Sequence, residues 1–349
     1  MKRLQQITPP DAAAMQRARA RWNGVAKPLG SLGLLETAVE TIAGITGNEA
    51  VYLQKRCVVA MCADNGVVDE GVSQSDSSVT AIVAKAMAEG SSNINLLAQV
   101  YGAEVFPIDI GIKENLSLPG LSDRNISHGT NNMANAPAMS LEQAEQAICV
   151  GMDTVRELKQ QGYQIIVTGE MGIGNTTTAS AIVSVLLDLP PEIVTGRGAG
   201  LTTEGLRRKI AVIRRAIAVN QPDKTQPLAL LAKLGGYDIA GMTGLFLGGA
   251  VYHVPIVIDG FISAVAAALA AAICPLVKEY MLCSHVSKEP AAVKILASLG
   301  HKPLITAELC LGEGTGGIML LPLLDGALAI YHSSHTFDNL PMERYVTLT

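Results

Sequence analysis

Aromatic and charged residues are scarce in this 349-residue chain: Phe, Trp and Tyr together supply 4%, and Asp, Glu, Lys and Arg 16%. The formal net charge is −5, and there is neither a long basic run nor basic residues interleaved with aromatics, so the electrostatic footprint of a nucleic-acid binder is missing. None of the six cysteines (Cys57, Cys62, Cys149, Cys274, Cys283 and Cys310) forms a Cys-x-x-Cys pair, which argues against a disulfide framework and a zinc site. The six histidines lack His-x-x-x-His and His-Glu-x-x-His spacing, and no metal is expected. No apolar run follows Met1-Lys2-Arg3-Leu4-Gln5-Gln6, so a signal peptide is not expected and the thiols read as reduced in a cytoplasmic protein. Gly-x-Ser-x-Gly is also absent, and Gly172-x-Gly174-x-x-Thr177, behind a predicted strand, lacks the third glycine of Gly-x-Gly-x-x-Gly, which weakens hydrolase and dehydrogenase readings.

What the chain has is apolar bulk and glycine: 49% hydrophobic residues and 34 glycines, a balance suited to a buried parallel sheet. Its length allows one large α/β domain, or a large domain with a smaller satellite. Val254 to Cys274, apolar apart from Asp259 and Ser263, is long enough to cross a bilayer. The β-branched run Val254-Pro255-Ile256-Val257-Ile258, ending in Asp259-Gly260 ahead of an Ala-rich stretch, instead predicts a strand, a turn and a helix. No membrane association is expected.

Pro9-Pro10-Asp11 opens a predicted helix to about Trp22, and Ser31 is the expected N-cap of a second, from Leu32 to about Ile45. Strands are then predicted at Cys57 to Cys62, Ala103 to Ile108, Tyr163 to Thr168, Ile256 to Ile258 and Tyr280 to Cys283. Helices are predicted at Ser78 to Gln99, Leu141 to Gln160, Thr177 to Leu187 and Thr203 to Val219, with a small-residue helix starting near Asp238, read as its cap. This alternation predicts a doubly wound, mostly parallel, Rossmann-like α/β sheet with a smaller helical domain built from the chain ends. The expected boundaries are 1–50 with about 335–349 for the small part and 51–334 for the catalytic domain. Polar clusters follow the strands (Asp64-Asn65-Gly66, Asp109-Ile110-Gly111, Gly169-Glu170, Asp259-Gly260 and Ser284-His285), so they should converge on one sheet edge.

Gly169 to Thr178, GEMGIGNTTT, looks like a phosphate-binding loop without its lysine: Asn175-Thr176 stand where a nucleoside-triphosphatase has Lys-Ser/Thr. Glycines and hydroxyls at a helix N-terminus suit a phosphate monoester; the competing reading is simple N-capping by Asn and Thr. Glu170 adds a carboxylate, for which Lys209, in Arg207-Arg208-Lys209, is the candidate cation. Glu313 stands among glycines in Gly312-Glu313-Gly314-Thr315-Gly316-Gly317 and is either a first-turn helix residue or a general base whose basicity an apolar cavity would raise. His285 is either a phosphate-side ligand or a structural histidine.

Seven blocks carry a resemblance spanning essentially the whole chain: KPLGSLG (Lys27 to Gly33), MCADNGVVDEGVS (Met61 to Ser73), GEMGIGNTT (Gly169 to Thr177), LGGYDIAGMTG (Leu234 to Gly244), DGF (Asp259 to Phe261), SHVS (Ser284 to Ser287) and LGEGTG (Leu311 to Gly316). In this order they resemble the nicotinate-nucleotide–dimethylbenzimidazole phosphoribosyltransferases of cobalamin lower-ligand activation. The resemblance implies phosphoribosyl transfer from nicotinate mononucleotide to a benzimidazole with inversion at the anomeric carbon, no cofactor, and a homodimer in which one subunit's small helical part closes the other's cavity. It makes Glu313 the general base and sets Glu170 and Lys209 near ribose and phosphate. Gly172, Gly174, Asn175, Thr176, Gly198 and Ser287 become nucleotide contacts, and Ser75 and Leu311 substrate contacts. Two departures bear on the acceptor: Asn65 stands where many members have His, and Ser75-Asp76-Ser77-Ser78 lacks a frequent Pro. Adenine, another benzimidazole or a phenol therefore stay open as acceptors. A nucleotide-dependent kinase or hydrolase is disfavoured by the missing lysine, and a binding-only subunit of a heteromer by the intact Glu313.

Overall fold

A computed structural model describes residues 2–345. Its centre is a six-stranded sheet of β1 (Arg56–Ala63), β2 (Glu104–Gly111), β3 (Ser122–Asp123), β4 (Ile165–Met171), β5 (Ile256–Ile258) and β6 (Met281–Cys283). The order is β3-β2-β1-β4-β5-β6, and every neighbouring pair is parallel. The doubly wound parallel sheet expected from the β/α alternation is therefore present. β1 and β4 are almost wholly buried because helices cover both faces, which is why they read as unbroken apolar runs.

The chain leaves β1 towards β2 and β3, then returns to lay β4 on the other side of β1. The loops leaving the carboxyl ends of β1 and β4 pack against each other, with Gly172 and Gly174 meeting Asn65 and Val68, so the open part of this edge lies on the β4–β6 side. The helices Leu141–Gln160 and Tyr237–Tyr252 cover one face in close apposition. Gly151 faces Gly241 and Leu245, while Gly244 and Gly248 meet Ile148, Met152 and Val155 at distances that leave no room for a Cβ. These glycines let the two helix backbones approach closely.

Several boundaries differ from the sequence reading. The predicted Ser78 to Gln99 helix is two helices, Ser78–Ala88 and Asn93–Tyr101, because Gly90 turns left-handed at φ +80° and Ser92 forms a capping box with Asn95. Ser31 is not an N-cap: it lies in a turn between Gly30 and Gly33, both left-handed, and the helix runs Leu34–Thr46 behind Gly33. Asp11 does cap the first helix, Ala12–Gly24, accepting from Ala13 and Ala14 N–H at 2.8 and 3.0 Å. β3 was not foreseen; its two residues are exposed and carry no apolar pattern. β4 continues through Glu170 to Met171, so Glu170 belongs to the strand end rather than the loop.

The chain ends meet. Val25 bridges Thr336 in an antiparallel pair, and the Trp22 and Tyr331 rings pack edge-on at 4.8 Å. Residues Val346 to Thr349 of the expected small part lie outside the described residues. The segment from Val254 to Cys274 is β5 followed by the helix Phe261–Ile273, and among the described residues no helix is long and apolar enough to cross a membrane.

Candidate active site

A cleft of about 210 Å³ opens beside the carboxyl ends of β4, β5 and β6. Of the residues expected at the site, Glu170, Gly172, Asn175, Thr176, Gly198, Ser287, Leu311 and Glu313 line it. Lys209, Gly174 and Ser75 do not, for three different reasons. Lys209 is fully buried one layer behind the wall, where its ammonium donates to Thr176 Oγ1 at 2.8 Å. Gly174 is the left-handed N-cap (φ +92°) of the helix Asn175–Leu186 and packs against Val68. Ser75 lies on the loop before Ser78, which reaches the Gly198–Gly200 turn through a Gln74 side-chain bond to Gly200 O.

The phosphate-like corner is built by two turns. Asn175 and Thr176 start a helix whose N-terminal amides carry partial positive charge. Gly198, left-handed at φ +53°, comes so near that a Cβ there would stand 2.9 Å from Thr176 Oγ1 and 3.4 Å from Lys209 Nζ. Burial lowers Lys209 from 10.5 to about 8, with Glu289 opposing the shift. Glu289 and Thr176, rather than Glu170, are the groups beside this lysine. The expected direct Glu170–Lys209 partnership is instead relayed through adjacent residues, since Asn175 holds Glu170 and Thr176 holds Lys209.

The opposite wall is acidic. Glu170 Oε2 accepts from Asn175 Nδ2 at 2.5 Å, and burial pushes its carboxyl up to about 8, helped by Asp238, Asp259 and Glu313. Asp259, at the end of β5, is raised by burial while the neighbouring His285 opposes the shift; its Oδ1 accepts Gly317 N–H at 2.6 Å. His285 is held by Ser284 Oγ at 3.1 Å, and its ring occupies the space a Cβ on Gly316 would need. Although these carboxylates converge, no group of three or more His, Cys, Asp or Glu side chains among the described residues is arranged to hold a metal ion.

Glu313 is the third element. It is left-handed (φ +61°) between Gly312 and Gly314, each at φ +89°, a conformation that a residue with a side chain adopts at a cost. Gly169 in β4 leaves the gap this loop needs: a Cβ there would stand 2.6 Å from Glu313 O. The carboxylate is turned to the helix Asn93–Tyr101, with Oε2 accepting Ile94 N–H at 3.1 Å and Oε1 accepting from Asn93 Nδ2 at 3.2 Å. The sequence reading missed both partners, and it set Asp259 at the converging sheet edge, where the cleft has it, without giving it a role of its own. Asp259 had a legible signal, a carboxylate directly after a strand; Asn93 and Ile94 had none, because the helix they begin was not separated from its predecessor.

A cleft at the carboxyl edge of a parallel sheet, joining a helix N-terminus to a wall of carboxyl groups, has the build of an α/β group-transfer enzyme, and a phosphoribosyltransferase family model matches residues 7–340. The chain is 44% identical to the nicotinate-nucleotide–dimethylbenzimidazole phosphoribosyltransferase of Clostridium acetobutylicum, covering 97% of this chain and 96% of that protein. Against the protein of the same name from Halalkalibacterium halodurans the identity is 45%, over 94% and 92% of the two chains. The crystal structure of CobT from Thermus thermophilus superimposes with a TM-score of 0.90 at 37% identity, over 95% of this chain and 100% of that one. The chain belongs to the nicotinate-nucleotide–dimethylbenzimidazole phosphoribosyltransferase family.

Proposed function

We infer that this protein transfers the phosphoribosyl group of nicotinate mononucleotide to dimethylbenzimidazole, giving α-ribazole phosphate and nicotinate in cobalamin biosynthesis. The observation that carries the site assignment is the cleft itself, which sets the Thr176–Gly198–Lys209 corner and Glu313 at one sheet edge. Phosphate is held by the N-terminal amides from Asn175, the Thr176 and Ser287 hydroxyls, the Gly198 backbone and the Lys209 charge. Gly172 lines the cleft beside the nucleotide, Gly174 turns the chain into the helix, Leu311 faces the acceptor, and Ser75 approaches the substrates from the loop before Ser78, outside the cleft lining.

In the reaction the bond between the anomeric carbon and the pyridinium nitrogen breaks, and its electron pair leaves on nicotinate, which needs no proton to depart. One ring nitrogen of the benzimidazole attacks from the opposite face, inverting the anomeric carbon, while the N–H proton of the other nitrogen passes to the Glu313 carboxylate. Positive charge moves from the pyridinium to the ribose in the transition state, where a wall of fixed carboxyl groups stabilises it without reorganising. Glu170, held by Asn175, is the acid nearest this charge and orients the ribose.

The small part formed by 1–50 and about 335–349 is proposed to close the cavity of a second copy in a cytoplasmic homodimer. Exposed apolar side chains on the two helices before β2 support this: Ile82, Leu96 and Val100 are 63%, 55% and 74% exposed. Light scattering on the purified protein should give twice the monomer mass. For the reaction itself, nicotinate release is followed with and without dimethylbenzimidazole in metal-free buffer, and the product's anomeric configuration is read by NMR. Base-dependent release of nicotinate with an α-configured product is expected. No release with benzimidazoles, adenine or phenols would overturn the assignment.

A further inference from the structure

Asp238 sits in the first turn of the helix Tyr237–Tyr252, yet it does not cap that helix; Gly236 holds the N-cap position and no side-chain cap bond is made. The side chain is fully buried and turned to the cleft wall. Its Oδ2 accepts one hydrogen of the Asn175 amide at 2.9 Å, and the other hydrogen of the same NH2 goes to Glu170 Oε2 at 2.5 Å. Both donors of one amide are thus taken by carboxyl groups on opposite sides, and the amide's orientation is fixed, since turning it over would set its oxygen against two acceptors. Asp238 Oδ1 faces the Asn65 amide, whose turned-over orientation gives it a donor.

The surrounding backbone is shaped to this carboxylate. A Cβ on Gly172 would stand 2.5 Å from Oδ2, and one on Gly236 would overlap Oδ1. Two glycines from different segments therefore leave room for one acidic side chain that the proposed reaction does not use directly. A buried carboxyl group facing amides, with no cation beside it among the described residues, is a costly feature for a fold to keep.

We propose that Asp238 is a positioning residue for phosphoribosyl transfer: through the Asn175 amide it fixes Glu170 against the cleft, and its charge sets the protonation of that carboxyl. The proposal rests on the placement of Glu170 at the donor ribose. The groups facing Glu170 are Asn175 from its own loop, Asp238 from the helix Tyr237–Tyr252, Asp259 from the end of β5, Glu313 from the Gly312–Gly314 loop and the Cys62 thiol of β1, which burial keeps neutral. All the ionisable ones are acidic, so removing the charge of Asp238 eases ionisation of Glu170 and moves its midpoint to lower pH.

The test uses the full-length enzyme with carbon-13 labelled glutamate carboxyls. The Glu170 resonance is assigned by its loss in Glu170→Gln and titrated in wild type and Asp238→Asn, which keeps an oxygen for Asn175 but no charge. A midpoint lowered by about one pH unit is expected, with the limb of kcat/KM that Glu170→Gln abolishes moving equally. In a second arm, Asn175→Ala removes the bridge and lowers the pH-independent kcat by about tenfold or more, and adding Asp238→Asn costs no further pH-independent kcat, because the positional effect of both runs through one contact while the charge of Asp238 moves only the pH midpoint. An unmoved Glu170 midpoint in folded Asp238→Asn, or full additivity of the two losses, overturns the role of Asp238. Wild-type kinetics and pH profile in Glu170→Gln overturn the placement of Glu170 instead, an outcome that the resonance titration distinguishes from the first.

Discussion

The backbone N–H of Ile94 lies 3.1 Å from the Glu313 carboxylate, joining the start of one helix to a loop more than two hundred residues later in the chain. The carboxylate stands where four helix N–H groups lack intrahelical partners and where the helix dipole favours negative charge. A residue proposed to take a proton is therefore held in one rotamer before the acceptor arrives. The helix that holds it exists because Gly90 and Ser92 stop one helix and start another.

Glu313→Gln tests the base directly. The amide keeps an oxygen for Ile94 N–H but cannot accept the proton of the incoming base. A fall in kcat of about 10²–10⁴-fold is expected, with nicotinate mononucleotide affinity by calorimetry retained, since general-base catalysis contributes on that scale. Retention of wild-type kcat would remove Glu313 from this role.

Gly169→Ala perturbs the same base from the opposite side. Its φ is not left-handed, so the added methyl acts by contact alone, 2.6 Å from Glu313 O. The Gly312–Gly314 loop must shift, and positioning errors of this size cost about 10²-fold in rate. The variant should fold and bind nicotinate mononucleotide while losing kcat; unchanged kcat would mean that the loop is free to move without consequence.

Much of this architecture was legible in the chain. The Cys57 to Cys62 and Ile256 to Ile258 runs are apolar because both faces of their strands are covered, and Leu141–Gln160 has the bounds its pattern predicts, its start fixed by a capping box of Ser140 and Gln143. Glu313 stood out because glycines bracket it, and the structure gives the reason: three consecutive residues take positive φ. What was not legible depends on pairings across long separations. Asn93 and Glu313 are 220 residues apart and Asp238 is 63 residues from Asn175, so no local spacing reveals either contact. β3 escaped because hydrogen bonding to an edge, not burial, makes it a strand.

Glu170 predicts a pH-dependent cost to stability. Burial and three acidic neighbours raise its carboxyl from 4.5 to about 8. A raised folded-state value favours the folded protein below the unfolded value, and that contribution is lost as pH rises through the folded one, here across about pH 4.5 to 8. Glu170→Gln has no such ionisation. The ligand-free variant should melt higher than wild type at pH 8.5, with the difference shrinking towards pH 5, as read by scanning calorimetry. An equal difference at both pH values would place the cause elsewhere.

Lys209 predicts the opposite kind of coupling, between protons and the donor. Burial lowers its ammonium from 10.5 to about 8, so the free enzyme loses this charge as pH passes 8, while the phosphate monoester is already a dianion. Binding of that dianion favours the charged lysine and draws a proton from solvent. The affinity for nicotinate mononucleotide should therefore fall as pH rises from 7 to 9, and calorimetry in buffers of different ionisation enthalpy should register proton uptake near pH 8. Lys209→Met should bind more weakly and lose both signatures. Thr176→Ala frees the ammonium from its hydroxyl acceptor at 2.8 Å but keeps the charge, so it should weaken binding while retaining the pH dependence. A wild-type affinity that stays level from pH 7 to 9 would show that this lysine does not face the phosphate.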